Sequence, residues 1–313
     1  MKNEECRRRD GSRERSAFSI RHSPLIQRAS YTVPLAGGRV LRLGDRTLVM
    51  AVVNVTPDSF AETHPSIDPQ RALDLAQEAE ARGADVLDLG AESSRPGSSG
   101  VDEAEELRRL LPALRAVAAR TSLPISVDTT KAAVAEAALD AGASLVNDTS
   151  GLRYDAGLGA VVARHGAALV LMHLRGRPRE MYEQASYEDV AREVLGELAE
   201  SLAAAERAGV PRDATIIDPG LGFAKRAEHS YEALARLSVL AELDRPILVG
   251  SSRKSFLNRA LGDVPPADRD WGTAATVAAA ILAGAHIVRV HAVGPMVQVA
   301  RVTDEIVRWR GRQ

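Results

Sequence analysis

Eight short apolar runs recur along the chain, each followed by a polar loop and then a stretch with helical spacing. They are Leu48–Val53, Val86–Leu89, Ile125–Val127, Leu145–Val146, Ala168–Met172, Ile216–Ile217, Ile247–Val249 and Ile287–Val290. A continuous aliphatic run without polar alternation reads as a strand buried on both faces, which is the condition of a parallel sheet covered by helices. The intervening segments are rich in Ala, Leu, Glu and Arg, as in 69–82, 102–120, 131–141, 186–208 and 270–284. Several stop at a glycine (Gly83, Gly142, Gly166, Gly209, Gly284), as helices commonly do. Eight strand–helix units close more readily into a (β/α)8 barrel than into an open sheet, and 313 residues are enough for one such unit. Its core must be aliphatic, because aromatic residues make up only 4 % of the chain.

The flanks are different. Residues 1–28 are rich in Arg, Glu and Ser without periodicity and read as a flexible polar tail, leaving 29–313 for the barrel. Two alternating runs, Tyr31–Leu35 and Val40–Leu43, surround Gly37-Gly38 and predict a β-hairpin that caps one mouth of the barrel. A net charge of −2 provides no global attraction for nucleic acid or a membrane surface. No apolar run approaches the roughly 18 residues of a membrane-spanning helix, and the N-terminal region lacks the apolar stretch of a secretory signal. The single cysteine, Cys6, excludes a disulfide framework and a cysteine-ligated metal, and fits a reducing cytoplasm.

Function is expected where the strands end. Nearly every run finishes on a chemically able residue: Asn54, Asp88 with Glu92, Asp128, Asn147 with Asp148, His173, Asp218, Ser251 with Ser252, and His291. In a barrel these C-terminal ends meet at one mouth, where active sites form. Any one of them taken alone reads equally well as a cap for the next helix, and one of Asp128 and Asp218 is open to that reading. As a ring they read as a polar pocket. Its carboxylates and amides suit a heteroaromatic ring, whose amino-amidine edge donates two parallel hydrogen bonds to one carboxylate. Cations gather at the last two strands, in Ser251-Ser252-Arg253-Lys254-Ser255 and Arg289-Val290-His291, the usual barrel position for an anion seat. Arg289 lies inside an apolar strand and so needs a partner for its charge. The loops Asn54–Phe60 and Glu92–Gly97 read as lids, or as ordinary turns.

In order along the chain, Asn54–Phe60 (NVTPDSF), Ala84–Gly97, Ser126–Lys131 (SVDTTK), Asn147-Asp148, Met172-His173, Asp218–Lys225 (DPGLGFAK), Ser252–Phe256 (SRKSF), Gly272-Thr273 and Arg289–His291 (RVH) resemble the motif series of the dihydropteroate synthases. The resemblance spans about residues 31 to 310. It implies a TIM barrel in which Asp128, Asn147, Asp218 and Lys254 hold a pterin ring with Met172 packed near it. It further implies that Asn54 ligates Mg²⁺ on the pterin diphosphate, and that Arg289 and His291 bind the diphosphate itself. Ser94, Arg95, Phe223 and Ser255 would surround p-aminobenzoate and the lids. The implied reaction condenses 6-hydroxymethyl-7,8-dihydropterin diphosphate with p-aminobenzoate, giving 7,8-dihydropteroate and pyrophosphate, with Asp128, Asp218, Lys254, Arg289 and His291 carrying the chemistry.

The chain departs from that pattern in three places. Ala61-Glu62-Thr63-His64 replaces a Ser-Asp-Gly-Gly turn, Ser94 stands where Thr is usual, and Ala91 and Ala224 stand where Gly is usual. Two other readings share the residues. A pterin-binding methyltransferase acting on a corrinoid protein would use the same Asp/Asn seat but has no need of the diphosphate cations. A paralogue that binds pterin without catalysis would account for the altered first lid. Family members often dimerise, and by that resemblance the apolar helices around 270–310 would form a homodimer face.

Overall fold

A computed structural model of the chain describes residues 28–55, 68–92, 98, 100–177 and 179–310. Residues 1–27 of the expected tail 1–28, residues 56–60 of the first lid loop with Ala61–His64, and the residues Ser94 and Arg95 lie outside the described residues; Arg28, at the end of that tail, is instead packed against Asp304 and Thr47. The predicted hairpin is present: β1 (Tyr31–Leu35) pairs antiparallel with β2 (Arg39–Leu43) around a tight turn, with Gly37 at φ 77° and Gly38 at φ 74°. Eight parallel strands follow, β3 (Leu48–Asn54), β4 (Val86–Gly90), β5 (Ile125–Asp128), β6 (Leu145–Asp148), β7 (Ala168–Met172), β8 (Thr215–Asp218), β9 (Leu248–Val249) and β10 (Ile287–Val290). Their spatial order runs β8-β7-β6-β5-β4-β3-β10-β9, and a parallel bridge between Ile217 and Ile247 brings the two edges together. The architecture is therefore the expected (β/α)8 barrel, and each strand matches its apolar run to within two residues at either end.

The helices between strands are α1 (Pro69–Ala81), α2 (Glu103–Ala118), α3 (Ala132–Asp140), α4 (Leu158–His165), α5 (Val190–Arg207), α6 (Ala227–Ala235), α7 (Asn258–Leu261) and α8 (Asp270–Leu282), with α9 (Val293–Arg310) after the last strand. Their ends follow local chemistry. Asp68, Asp102 and Asp189 cap α1, α2 and α5, each carboxylate accepting a backbone N–H of the first turn. Such a cap contributes about 1 kcal/mol.

Period-2 alternation divides the core in two. Outward residues of the strands, among them Val49, Leu87, Leu89, Val127, Leu169, Leu171 and Val288, pack against the helices. Inward residues (Leu48, Met50, Val86, Leu145, Ala168, Val170, Ile216, Leu248, Ile287) fill the N-terminal half of the barrel and join Val33, Leu35, Leu41 and Leu43 of the hairpin. Each such buried side chain contributes about 1.5–3 kcal/mol of transfer free energy. The hairpin thus closes the N-terminal mouth, and the next inward positions along each strand open at the other.

Candidate active site

Two residues beyond this apolar floor, the alternation delivers polar side chains. Asp88 follows Val86, Asn147 follows Leu145, Asp218 follows Ile216, and Arg289 follows Ile287, all on the inward face. Strand register then carries the ring round: Asn54 pairs with Gly90, Gly90 with Asp128, Asp128 with Asn147, and Met172 with Asp218. Of the residues picked from the strand ends, Asn54, Asp88, Asp128, Asn147 and Asp218 therefore meet at one rim, whereas His173 is buried against Lys225.

Arg289 organises the centre. Its Nε donates to Asp88 Oδ2 at 2.6 Å and its Nη2 to Asp128 Oδ2 at 2.8 Å. Asn147 Nδ2 donates to the same Asp88 oxygen at 3.1 Å. Asp88 is fully buried, and its Oδ1 has no hydrogen-bond partner among the described residues. Burial opposes the charge of Arg289, but Asp88 and Asp128 outweigh it and raise the guanidinium above its ordinary range. Burial pushes Asp128 up to about 7, and Arg289 offsets this only in part. Asp218 faces the same space: a Cβ built on Gly250 would stand 3.8 Å from Arg289 Cβ and 3.9 Å from Asp218 Oδ2.

Asp218 opens a tight loop. Its Oδ1 accepts the Gly220 N–H at 2.7 Å, so it forms a turn as well as facing the cup. It caps no helix: the next one, α6, begins only at Ala227. Burial raises its pKa, opposed by Lys254 and by that backbone bond. Gly220 has φ 65°, and a Cβ there would lie 2.0 Å from the carbonyl oxygen of His173, so only glycine fits. Lys254 reaches across from the loop after β9, donates to the Leu221 carbonyl at 2.6 Å, and holds its ammonium 4.3 Å from the centroid of the Phe223 ring. Burial lowers Lys254 to about 8 despite the pull of Asp218. Ala224, where glycine is usual, keeps a left-handed φ of 46°, a strain of about 1 kcal/mol for alanine. Ala91 is fully buried beside β4.

The remaining expected residues are less uniform. Met172 is buried in a cluster with Leu174, Met181 and Ala224, against which Phe223 packs. His291 pairs with Ser252, Nδ1 to Oγ at 3.0 Å, at the end of β10. Asn54 is exposed on the rim, and Ser255 is exposed at the start of a 3-10 turn. Arg253, read from sequence as part of the anion seat, instead forks onto Asp270 at 2.8 Å through both Nε and Nη2. Asp148 accepts from Ser150 and from the Leu152 N–H, and Ser251 accepts from Thr276, so these two strand ends are structural. Glu92 shares Lys131 with the buried Glu106. The role of Asp88 as anchor of Arg289 was not legible beforehand. Its inward position two residues after Val86 was the available signal.

A floor of apolar side chains, a ring of carboxylates and one amide, and cations on the later strands define a barrel enzyme built to seat a flat, donor-rich heterocycle bearing an anion. Residues 50–291 match the family model described as pterin binding enzyme. A dihydropteroate synthase of Synechocystis sp. is 42 % identical over 278 residues, covering 88 % of this chain and 96 % of the relative. The dihydropteroate synthase of Yersinia pestis, solved with a sulfonamide drug complex, superposes with a TM-score of 0.81 at 38 % identity, covering 87 % of this chain and 98 % of that one. That of Xanthomonas albilineans, solved with 4-aminobenzoic acid, gives 0.80 at 40 % identity, covering 88 % and 98 %. The chain belongs to the pterin binding enzyme family, and within it to the dihydropteroate synthases.

Proposed function

We propose that the chain joins 6-hydroxymethyl-7,8-dihydropterin diphosphate to p-aminobenzoate, releasing 7,8-dihydropteroate and pyrophosphate. The observation that carries the reading is the approach of Asp218 to Arg289 around Gly250, which sets heterocycle acceptors and leaving-group cations within the span of one small molecule. In this reading Asp128 and Asp218 accept from the amino-amidine edge of the pterin. Asn147 and Lys254 complete its polar rim, and Met172 packs on the ring. Arg289 and His291 hold the diphosphate. Phe223, Ser255, Ser94 and Arg95 surround the second substrate.

Bond formation here is a displacement at a CH₂. The aromatic amine is a weak nucleophile and neutral at pH 7, so no strong general base is needed. The enzyme's leverage is on departure of pyrophosphate. Arg289 and His291 stabilise the growing charge, and Asp128 and Asp218 stabilise the positive charge left on the pterin. Among the described residues no cluster of three His, Cys, Asp or Glu side chains could hold a metal. Asn54, exposed on the rim, would hold Mg²⁺ arriving on the pterin diphosphate through its amide oxygen. When bound, that ion neutralises charge on the leaving group.

Pyrophosphate release from the pterin diphosphate and p-aminobenzoate tests the reading, and chelation of Mg²⁺ should abolish it. With the amine withheld and oxygen-18 in the bridging position, departure ahead of attack would scramble the label. A corrinoid methyltransferase or a binding-only paralogue would release no pyrophosphate, and either result would overturn the proposal.

We further place a homodimer on α8 and α9. Val302, Ile306 and Trp309 are spaced i, i+4, i+7 along α9, and Trp271 on α8 is 87 % exposed. Val302→Glu with Ile306→Glu should convert a dimer to a monomer in sedimentation; an unchanged mass would refute this face. No described helix is long and apolar enough to cross a membrane. The lone Cys6 fits the cytoplasm, which cell fractionation would check.

A further inference from the structure

One buried cation has no part in the chemistry above. Lys225 closes the loop that Asp218 opens, and it is 1 % exposed. Its Nζ lies 2.7 Å from His173 Nδ1 and donates to the carbonyls of Gly220 and Phe223, each at 3.2 Å. When Lys225 is protonated its ammonium has three donors and no acceptor, so His173 Nδ1 then accepts and carries its proton on Nε2. That Nε2 faces Glu197 Oε2 at 3.2 Å, too obliquely for a well-formed hydrogen bond. Glu197, on α5, is in turn held by Arg175 and Arg153. The Tyr187 ring lies on the same side, its centroid 5.9 Å from Nζ.

The chain of contacts runs from a surface helix to the floor of the Asp218 loop. Burial and the nearby Lys225 hold His173 down at about 3, which keeps the imidazole neutral. Glu197, despite burial, is drawn well below the carboxylate range by His173 and Arg175. Burial lowers Lys225 well below its ordinary value, while Asp218 and Glu197 favour its charge and Lys254 and Arg175 oppose it. The charged groups acting on Asp218 are Lys254, Arg289 and Lys225.

We propose that Lys225, oriented by His173 and Glu197, is a positioning residue for catalysis: it pins the Asp218–Ala224 loop through two carbonyls and supplies Asp218 with a positive charge that the substrate never touches. The inference rests on the reading that Asp218 holds the pterin. A lysine serving only as a folding staple would tie down the loop without changing how Asp218 titrates.

The probe is pterin itself, titrated by calorimetry across the acidic range into wild type, Lys225→Gln, Lys225→Met and Asp218→Asn. Removing the cation raises the Asp218 pKa, so the part of the acid limb that Asp218→Asn lacks should move to higher pH in both Lys225 variants, each unit of movement being a tenfold loss on that limb. Gln keeps two N–H donors for the loop carbonyls, so the KM for p-aminobenzoate should stay near wild type in Lys225→Gln and rise in Lys225→Met. If the part of the limb that depends on Asp218 is unmoved in Lys225→Gln, the proposal is overturned, and that variant decides alone should Lys225→Met not fold. If Asp218→Asn binds pterin like wild type, the underlying site reading falls instead. If Asp218→Asn loses pterin while Lys225→Gln keeps the wild-type limb, only the positioning role fails.

Discussion

Replacing Arg289 by alanine is expected to destabilise the fold and to slow turnover, by two separable effects. In the structure one guanidinium serves Asp88 and Asp128 together, and Asp88 is fully buried. Removing one partner of a buried ion pair costs about 3–5 kcal/mol, because the other charge is left without compensation. The variant should be most fragile at high pH. A carboxylate whose folded pKa is raised contributes stability below its unfolded pKa and loses it as pH rises through the folded one. Asp128 already stands near 7 with Arg289 present, and its loss moves that window higher. Turnover should fall about 10²–10³-fold for lost stabilisation of the departing diphosphate. Arg289→Ala with Asp88→Asn separates the effects: stability should partly return, because a buried charge is gone, while pyrophosphate release stays low. Arg289→Lys keeps the charge but cannot fork across both carboxylates. Wild-type melting together with wild-type pyrophosphate release in Arg289→Ala would remove Arg289 from both roles.

Asp218→Asn should act on one substrate only. The change preserves shape and removes the charge. Asparagine offers one acceptor and presents N–H groups toward a pterin edge that also donates. Hydrogen bonds to a charged group contribute about 1.5–3 kcal/mol each, so losing two of them predicts pterin binding weaker by roughly 10²–10⁴-fold. The KM for p-aminobenzoate should stay near wild type, since Phe223 and Ser255 are untouched. Wild-type affinity for pterin should itself decline as pH falls through about 7, where Asp128 takes up its proton and can no longer accept twice. A residual acid limb should therefore survive in Asp218→Asn. Equal weakening of both substrates would instead indicate a collapsed loop.

Much of this molecule could be read from residue order, for physical reasons that particular elements show. Strands buried on both faces announce themselves as continuous aliphatic runs, which is why β7 and β10 were placed without error. The rim residues followed from the same runs, because the first polar residue after each apolar stretch is the first to leave the core. Partnerships between elements were another matter. Asp88 and Arg289 are 201 positions apart, and no local pattern marks them as a pair. Arg253 looked like an anion ligand because it sits beside Lys254. A left-handed φ of 59° belongs to the turn in which it forks onto Asp270. Lys225 was visible only as the last letter of a motif. Two of its acceptors, Gly220 and Phe223, belong to its own loop, but the third, His173, stands just past β7, which only tertiary closure brings alongside.

The hairpin stopper has a consequence for traffic. With Val33, Leu35, Leu41 and Leu43 sealing the far end, the barrel is a well rather than a tunnel, and everything enters and leaves by one doorway. Whatever occupies the bottom must arrive first, and a visitor arriving later stands in its way out. The pterin should therefore board ahead of the amine, and product release should depend on the same opening.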